Sequence, residues 1–149
     1  MKIKTFRGQV PMGLQNTLHL STSDGLTGYR IHKFEIISTA PGVGSHAEVV
    51  AKIFSTSQTT ISGTIDFNDT DLLAAVFYQD RIETGSSSSS DIILDRETFN
   101  QDIFVTMEDI AGATVPFNFY IELEQFKIDL NASTFHTLKN IRSRTQTSI

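Results

Sequence analysis

The chain has 149 residues, 39% hydrophobic and 19% charged, with no cysteine and a formal net charge of −5, which fits one globular domain able to bury its own core. The missing cysteines exclude disulfides, thiolate metal sites and cysteine nucleophiles, and the acidic balance argues against a direct nucleic-acid partner. The longest apolar run, Leu72 to Tyr78, falls far short of the roughly 20 residues that cross a bilayer, and no signal-peptide pattern opens the chain, so a soluble protein with no membrane partner is expected.

Serine and threonine make up 33 residues, and threonine favours pleated, half-exposed strands, so the chain reads as mostly β. Lys2 to Phe6 and Thr17 to Ser21 are the first two candidate strands. In the third, Tyr29 to Thr39, the pattern predicts a buried even face of His32, Phe34 and Ile36. Ala40 to Ser45 supplies the proline and glycines of a turn, and His46 to Phe54 alternates again, which predicts a hairpin between the two runs.

Gly63 to Phe67 reads as a short strand. Asn68 to Asp71 offers capping oxygens, and Leu72, Leu73, Val76 and Phe77 follow at helical spacing, which predicts a short helix. Gly85 with Ser86 to Ser90 reads as an exposed loop with nothing to bury. Strands are then expected at Asp91 to Leu94, Asp102 to Met107 and Pro116 to Leu130. In the last, the apolar positions change from odd (Phe117 to Leu123) to even (Phe126 to Leu130), which predicts a β-bulge near Glu124 or Gln125, or a strand that crosses to a second sheet. A second short helix, capped by Asn131, carries Phe135, Leu138 and Ile141 on one face. The expected fold is an all-β, antiparallel β-sandwich of jelly-roll type with two short helices. Residues 1–142 form its single domain and 143–149 a flexible tail.

No motif for chemistry assembles. Gly42-Val43-Gly44-Ser45-His46 lacks the second glycine and the strand-to-helix context of a nucleophile elbow, so Ser45 reads as a turn residue. His19, His32, His46 and His136 have no ligand spacing. Asp66 to Asp71 has the oxygen density of a calcium loop, but Asp71 and Phe77 stand where its glycine and glutamate belong, and helix capping explains the carboxylates. Glu122 and Glu124 share one strand face, as solvated carboxylates commonly do. The expectation is a protein that is not an enzyme and needs no cofactor or metal.

Charge is segregated: residues 1–65 carry +3, residues 66–129 carry −11 and residues 130–149 carry +3. Lys2, Lys4 and Arg7 at one end, with Lys139, Arg142 and Arg144 at the other, are candidate contacts to an acidic partner surface. Tyr29, Tyr78 and Tyr120 are candidate surface aromatic contacts.

From Asp95 onward the order of motifs is suggestive: Phe99-Asn100-Gln101-Asp102-Ile103-Phe104-Val105, then Asn118-Phe119-Tyr120-Ile121-Glu122-Leu123-Glu124, then Lys127-Ile128-Asp129-Leu130, and finally Leu138-Lys139-Asn140-Ile141-Arg142. This last third resembles small virion structural proteins of tailed bacteriophages, especially marine ones. The resemblance implies a β-sandwich building block in the capsid, assembled in the host cytoplasm: a decoration, cement or vertex protein that binds other virion proteins and copies of itself. The alternative is a carbohydrate- or receptor-binding module using a sheet face and loops such as Ser86 to Ser90.

Overall fold

A computed structural model describes residues 2–40, 47–81, 86–94, 97–112 and 115–147. Its elements are β1 (Lys2–Val10), β2 (Leu14–Leu18), β3 (Thr27–Ser38), β4 (Ala47–Phe54), β5 (Leu72–Arg81), β6 (Ser86–Ile93), β7 (Ile103–Asp109), β8 (Phe117–Lys127) and α1 (Leu130–Thr147). Every strand pairing is antiparallel. One sheet has the order β1-β8-β3 and the other β2-β7-β4-β5-β6.

Strand β8 shows why the smaller sheet has two unlike faces. Phe117, Phe119, Ile121 and Leu123 alternate with Asn118, Tyr120, Glu122 and Glu124, and a period of two sends the sets to opposite sides. The apolar four are at most 3% exposed. Phe6 on β1 and Phe34 on β3 both pair with Ile121, so the inner face continues across all three strands. The second sheet meets it with Val49, Ala51, Ile53, Val76, Val105 and Met107 in the same core.

The larger sheet is buried on its other face as well. Val50, Lys52, Phe54, Ala75, Phe104 and Thr106 are all 9% exposed or less, because the chain between β4 and β5 lies across them. Lys52 marks the crossing: its Nζ donates to Thr64 O at 2.7 Å and stands 5.2 Å from the centre of the Phe54 ring. Burial pushes the Lys52 ammonium below its ordinary range, and the Asp69 carboxylate opposes that shift.

Several expectations need correction. Leu72 to Phe77 lies in strand β5, so the described residues hold one helix, the 18-residue α1, where the second of the two expected helices falls. The apolar run serves both faces of a covered sheet, with Val76 inside and Ala75 outside, and that arrangement mimics helical spacing. The carboxylates ahead of it make tight turns instead of a cap: Asn68 N–H donates to Asp66 Oδ1 and Asp71 N–H to Asp69 Oδ1, both at 2.9 Å. Gly63 to Phe67 is loop, because it is the covering segment and not part of a ladder. Ser86 to Ser90 belongs to β6, held by backbone pairing to β5 that needs no apolar side chains.

Strands β3 and β4 lie in different sheets and form no hairpin; the intervening turn, with Ser45 and His46, lies outside the described residues. The bulge falls on β3, where the register against β8 shifts between Ile31 and Lys33, leaving His32 as the extra residue. Tyr29 and Ile31 therefore share the interior with Phe34 and Ile36, and His32 is exposed. Strand β8 runs on without a bulge and does not change sheets. Its alternation puts Phe126 on the outer face, 4.9 Å below the Arg30 guanidinium and opposite Gly28. A Cβ on Gly28 would come within 2.9 Å of that ring, so the glycine makes room for it.

The connection from β2 to β3 is pinned to the start of β7 by Asp102, which accepts from Leu20 N–H at 2.8 Å and from the Ser21 N–H and hydroxyl at 3.0 Å. Burial opposes ionisation of Asp102, but these donors outweigh it and hold the carboxyl below 3.8.

Two substitutions separate the faces. Ile121→Ala, at a position 0% exposed, is expected to lower unfolding free energy by about 2–5 kcal/mol. Ile37→Ala, at a position 60% exposed, should change it by about 0.5 kcal/mol or less. Urea unfolding measures both, and equal losses would contradict the assignment of the inner face.

Candidate functional site

Helix α1 starts where Asp129 accepts Ala132 N–H on Oδ1 at 2.7 Å and Ser133 N–H on its backbone oxygen at 2.9 Å, so Asp129 is the cap in place of Asn131. The helix continues through Ser143 to Thr147, which the sequence pattern assigns to a tail.

The contacts by which its described side chains dock are polar. Ser133 Oγ donates to Gly25 O at 2.6 Å. Asn100 Nδ2 lies 3.2 Å from Gly25 O, 3.3 Å from Ser133 O and 3.1 Å from Thr137 Oγ1. Lys139 forms an ion pair with Glu97. Gly25 has φ +66°, and a Cβ there would stand 2.9 Å from Ser133 Oγ, so only glycine allows this approach. Leu130, Phe135 and Leu138 face solvent at 71%, 63% and 59% exposure, the reverse of an ordinary amphipathic docking.

Beside this junction lies a cleft of about 330 Å³. Its walls come from the end of the covering segment (Phe67, Asp69, Asp71), from Leu94 and the stretch Glu97 to Gln101, and from the helix (His136, Lys139). Asp71 is buried and accepts from Thr56 Oγ1 at 3.1 Å. Burial lowers the pKa of His136 below 6.5, which leaves the imidazole neutral at pH 7. Asn100 is 1% exposed, and its Oδ1 has no donor among the described residues. The lining thus combines carboxylates already engaged by the protein (Asp69 by Asp71 N–H, Asp71 by Thr56, Glu97 by Lys139) with the apolar side chains of Phe67, Leu94 and Phe99.

The sequence-derived contacts do not gather in one place. Lys2 and Lys4 lie exposed on β1, Lys4 opposite the inward Leu123 and Arg7 on the other face opposite Tyr120. Lys139 lines the cleft. Arg142 and Arg144 belong to α1, and their side chains fall outside the described residues. Tyr29 is buried, stacked near Phe99, and Tyr78 packs edge-on against Phe117. Tyr120 stands on the outer face, donating to Glu122 at 3.0 Å, with Arg7 and Glu35 as its cross-strand neighbours.

Asp66 and Asp69 spend oxygens on backbone turns, and no group of three His, Asp or Glu among the described residues could hold a metal ion. No described helix is long and apolar enough to cross a membrane. The sequence reading missed Asn100 and Gly25; the only signal for them was Ser133 and Thr137 at helical spacing beside an unassigned asparagine. No family model and no curated protein matches the chain.

Two measurements test this junction. Because the folded His136 binds fewer protons than the unfolded one, its contribution to stability is complete above pH 6.5 and declines as pH falls below that value. His136→Gln should flatten this part of the stability profile in urea titrations at about pH 7.5 and about pH 5.5; an unchanged slope would refute the assignment. Gly25→Ala should cost about 1–2 kcal/mol and speed amide exchange in the first turns of α1.

Proposed function

We propose that this chain is a non-enzymatic structural protein of a tailed-bacteriophage virion, a capsid decoration or vertex block that docks on shell proteins and on copies of itself. The observation that carries the reading is the strand order. Winding one antiparallel ribbon around a core pairs strand 1 with 8, 2 with 7, 3 with 6 and 4 with 5, the jelly-roll form of β-sandwich found in viral capsid and lectin domains. Pairings β1 to β8, β2 to β7 and β4 to β5 follow that scheme. Strand β6 departs from it by bonding to β5, while it still lies near β3.

Strands β1, β3, β2 and β6 end the two sheets, and a sheet edge offers unpaired backbone groups to a neighbour. Lys2, Lys4 and Arg7 on the β1 edge supply charge complementary to an acidic shell. The resemblance of the last third to phage virion proteins points the same way. Such a protein is assembled into particles in the host cytoplasm.

A second reading, a carbohydrate-binding module, is favoured by the cleft, where Asp69, Asn100 and Gln101 line the same wall system as Phe67 and Phe99. A glycan array separates the two.

The direct test mixes the purified chain with shell particles and examines sedimentation and negative-stain images. The expected result is added density on the particles, and binding that weakens with salt and falls at least about fivefold for the Lys2→Glu, Lys4→Glu, Arg7→Glu triple variant. A lone monomer that binds no virion component would refute the reading.

A further inference from the structure

Four strands end the two sheets, and three of them carry something that discourages a further strand. On β1, Lys2 and Lys4 stand on the side that faces the core, Lys4 opposite Leu123. Strand β2 is five residues long, and its Gln15 side chain bonds Ser57 and Gln58. On β3 the ladder shifts at His32, and Tyr29 exchanges two backbone hydrogen bonds with Phe99, at 2.8 and 3.0 Å, on the side away from β8. Strand β6 has none of these. Its eight residues keep one unbroken register with β5, without lysine, arginine or proline, and Asp91 is their single charge.

The register decides which backbone groups of β6 are open. Leu94 N–H donates to Leu73 O at 2.9 Å, so the pairs that exchange hydrogen bonds are Leu73 with Leu94, Ala75 with Ile92, Phe77 with Ser90 and Gln79 with Ser88. Alternation then turns the N–H and C=O of Ser87, Ser89 and Asp91 away from β5. Among the described residues nothing pairs with them there. Ser89, Ser90, Asp91 and Ile92 are exposed in succession, so neither face of this stretch is covered.

The strand's own sequence fits a second copy of itself. A two-fold axis at Ser89, with two β6 strands antiparallel, sets Ser89 against Ser89 and Ser87 of each copy against Asp91 of the other. The exchange makes about six backbone hydrogen bonds and keeps the two Asp91 positions about 14 Å apart along the strands, so no like charges meet. Such a contact closes on itself, whereas β6 pairing with a different edge would repeat from copy to copy into an open sheet.

We propose that β6 is a self-docking edge: two copies of the chain pair antiparallel through residues 87–91 and join their larger sheets into one. The inference deepens the proposed docking on copies of the chain and rests on that reading. Lys2, Lys4 and Arg7 take no part in it, so shell binding and dimer formation can fail separately. A contact this short buries less than the roughly 1,200 Å² of a lasting complex, so the dimer is weak in solution and reinforced where many copies sit on one particle.

Sedimentation of the whole chain between about 10 μM and about 1 mM tests the proposal, and a monomer–dimer equilibrium is expected. Ser89→Pro removes an open N–H while sparing the ladder to β5, and should weaken the dimer at least about tenfold with the urea midpoint retained. Ser89→Lys, which opposes two ammonium groups across the axis, should give the same loss with an ordinary backbone. The chain has no cysteine, so Ser89→Cys can form a disulfide only with its counterpart in another copy. Its expected Cα separation of about 5.5 Å suits that bond, and Ser90→Cys, at about 8 Å, should cross-link at least about tenfold more slowly. A monomer throughout, a dimer untouched by both Ser89 variants, or cross-linking no faster at 89 than at 90 would each overturn the proposal. A dimer lost instead in the Lys2→Glu, Lys4→Glu, Arg7→Glu variant would assign self-contact to the β1 edge and overturn it as well.

Discussion

Removal of the inner face of β8 from water is the constraint on which the other elements depend. Its four alternating apolar side chains, Phe117, Phe119, Ile121 and Leu123, need cover along their length, and β1 and β3 extend that face sideways while the larger sheet closes it from above. Burying each such side chain contributes about 1.5–3 kcal/mol, more than any single polar contact at the surface of this molecule supplies. The bulge at His32 serves the same requirement, because it resets the parity of β3 so that both halves of that strand face the core.

The second sheet meets a different problem. Its central strands are apolar on both sides, so a covering segment is needed, and the chain between β4 and β5 provides it. Lys52 shows how such a cover accommodates a charge: the ammonium finds a carbonyl of the covering segment and an aromatic face close by. The end of that segment forms one wall of the cleft, so the element that shields the sheet also brings Asp69 and Asp71 toward the helix.

How much of this was legible in the sequence depended on whether a face was wet or dry. Strand β8 could be read because one side is solvated, which keeps the period of two visible. Strand β5 could not, because both its faces are covered and Leu72 to Phe77 then fits a helix equally well. The serine run of β6 has no period at all, and its conformation comes from its neighbour's backbone. Phe126 was taken to share the inner face because it is apolar, whereas the missing side chain of Gly28 and the cation of Arg30 make an outer position favourable. In the cleft, Lys139 was visible as a charge. Asn100 was not, since its role comes from Gly25 and Ser133, residues that the fold brings together from distant parts of the chain.

The polar docking of α1 has a thermodynamic consequence. Among its described side chains, which end at Lys139, the helix is tied down by Ser133, Thr137 and Lys139 while Leu130, Phe135 and Leu138 stay exposed, so detachment of that stretch adds little to the heat capacity of unfolding. Calorimetry of the β core would scarcely register whether that stretch is seated, whereas amide exchange reports it directly.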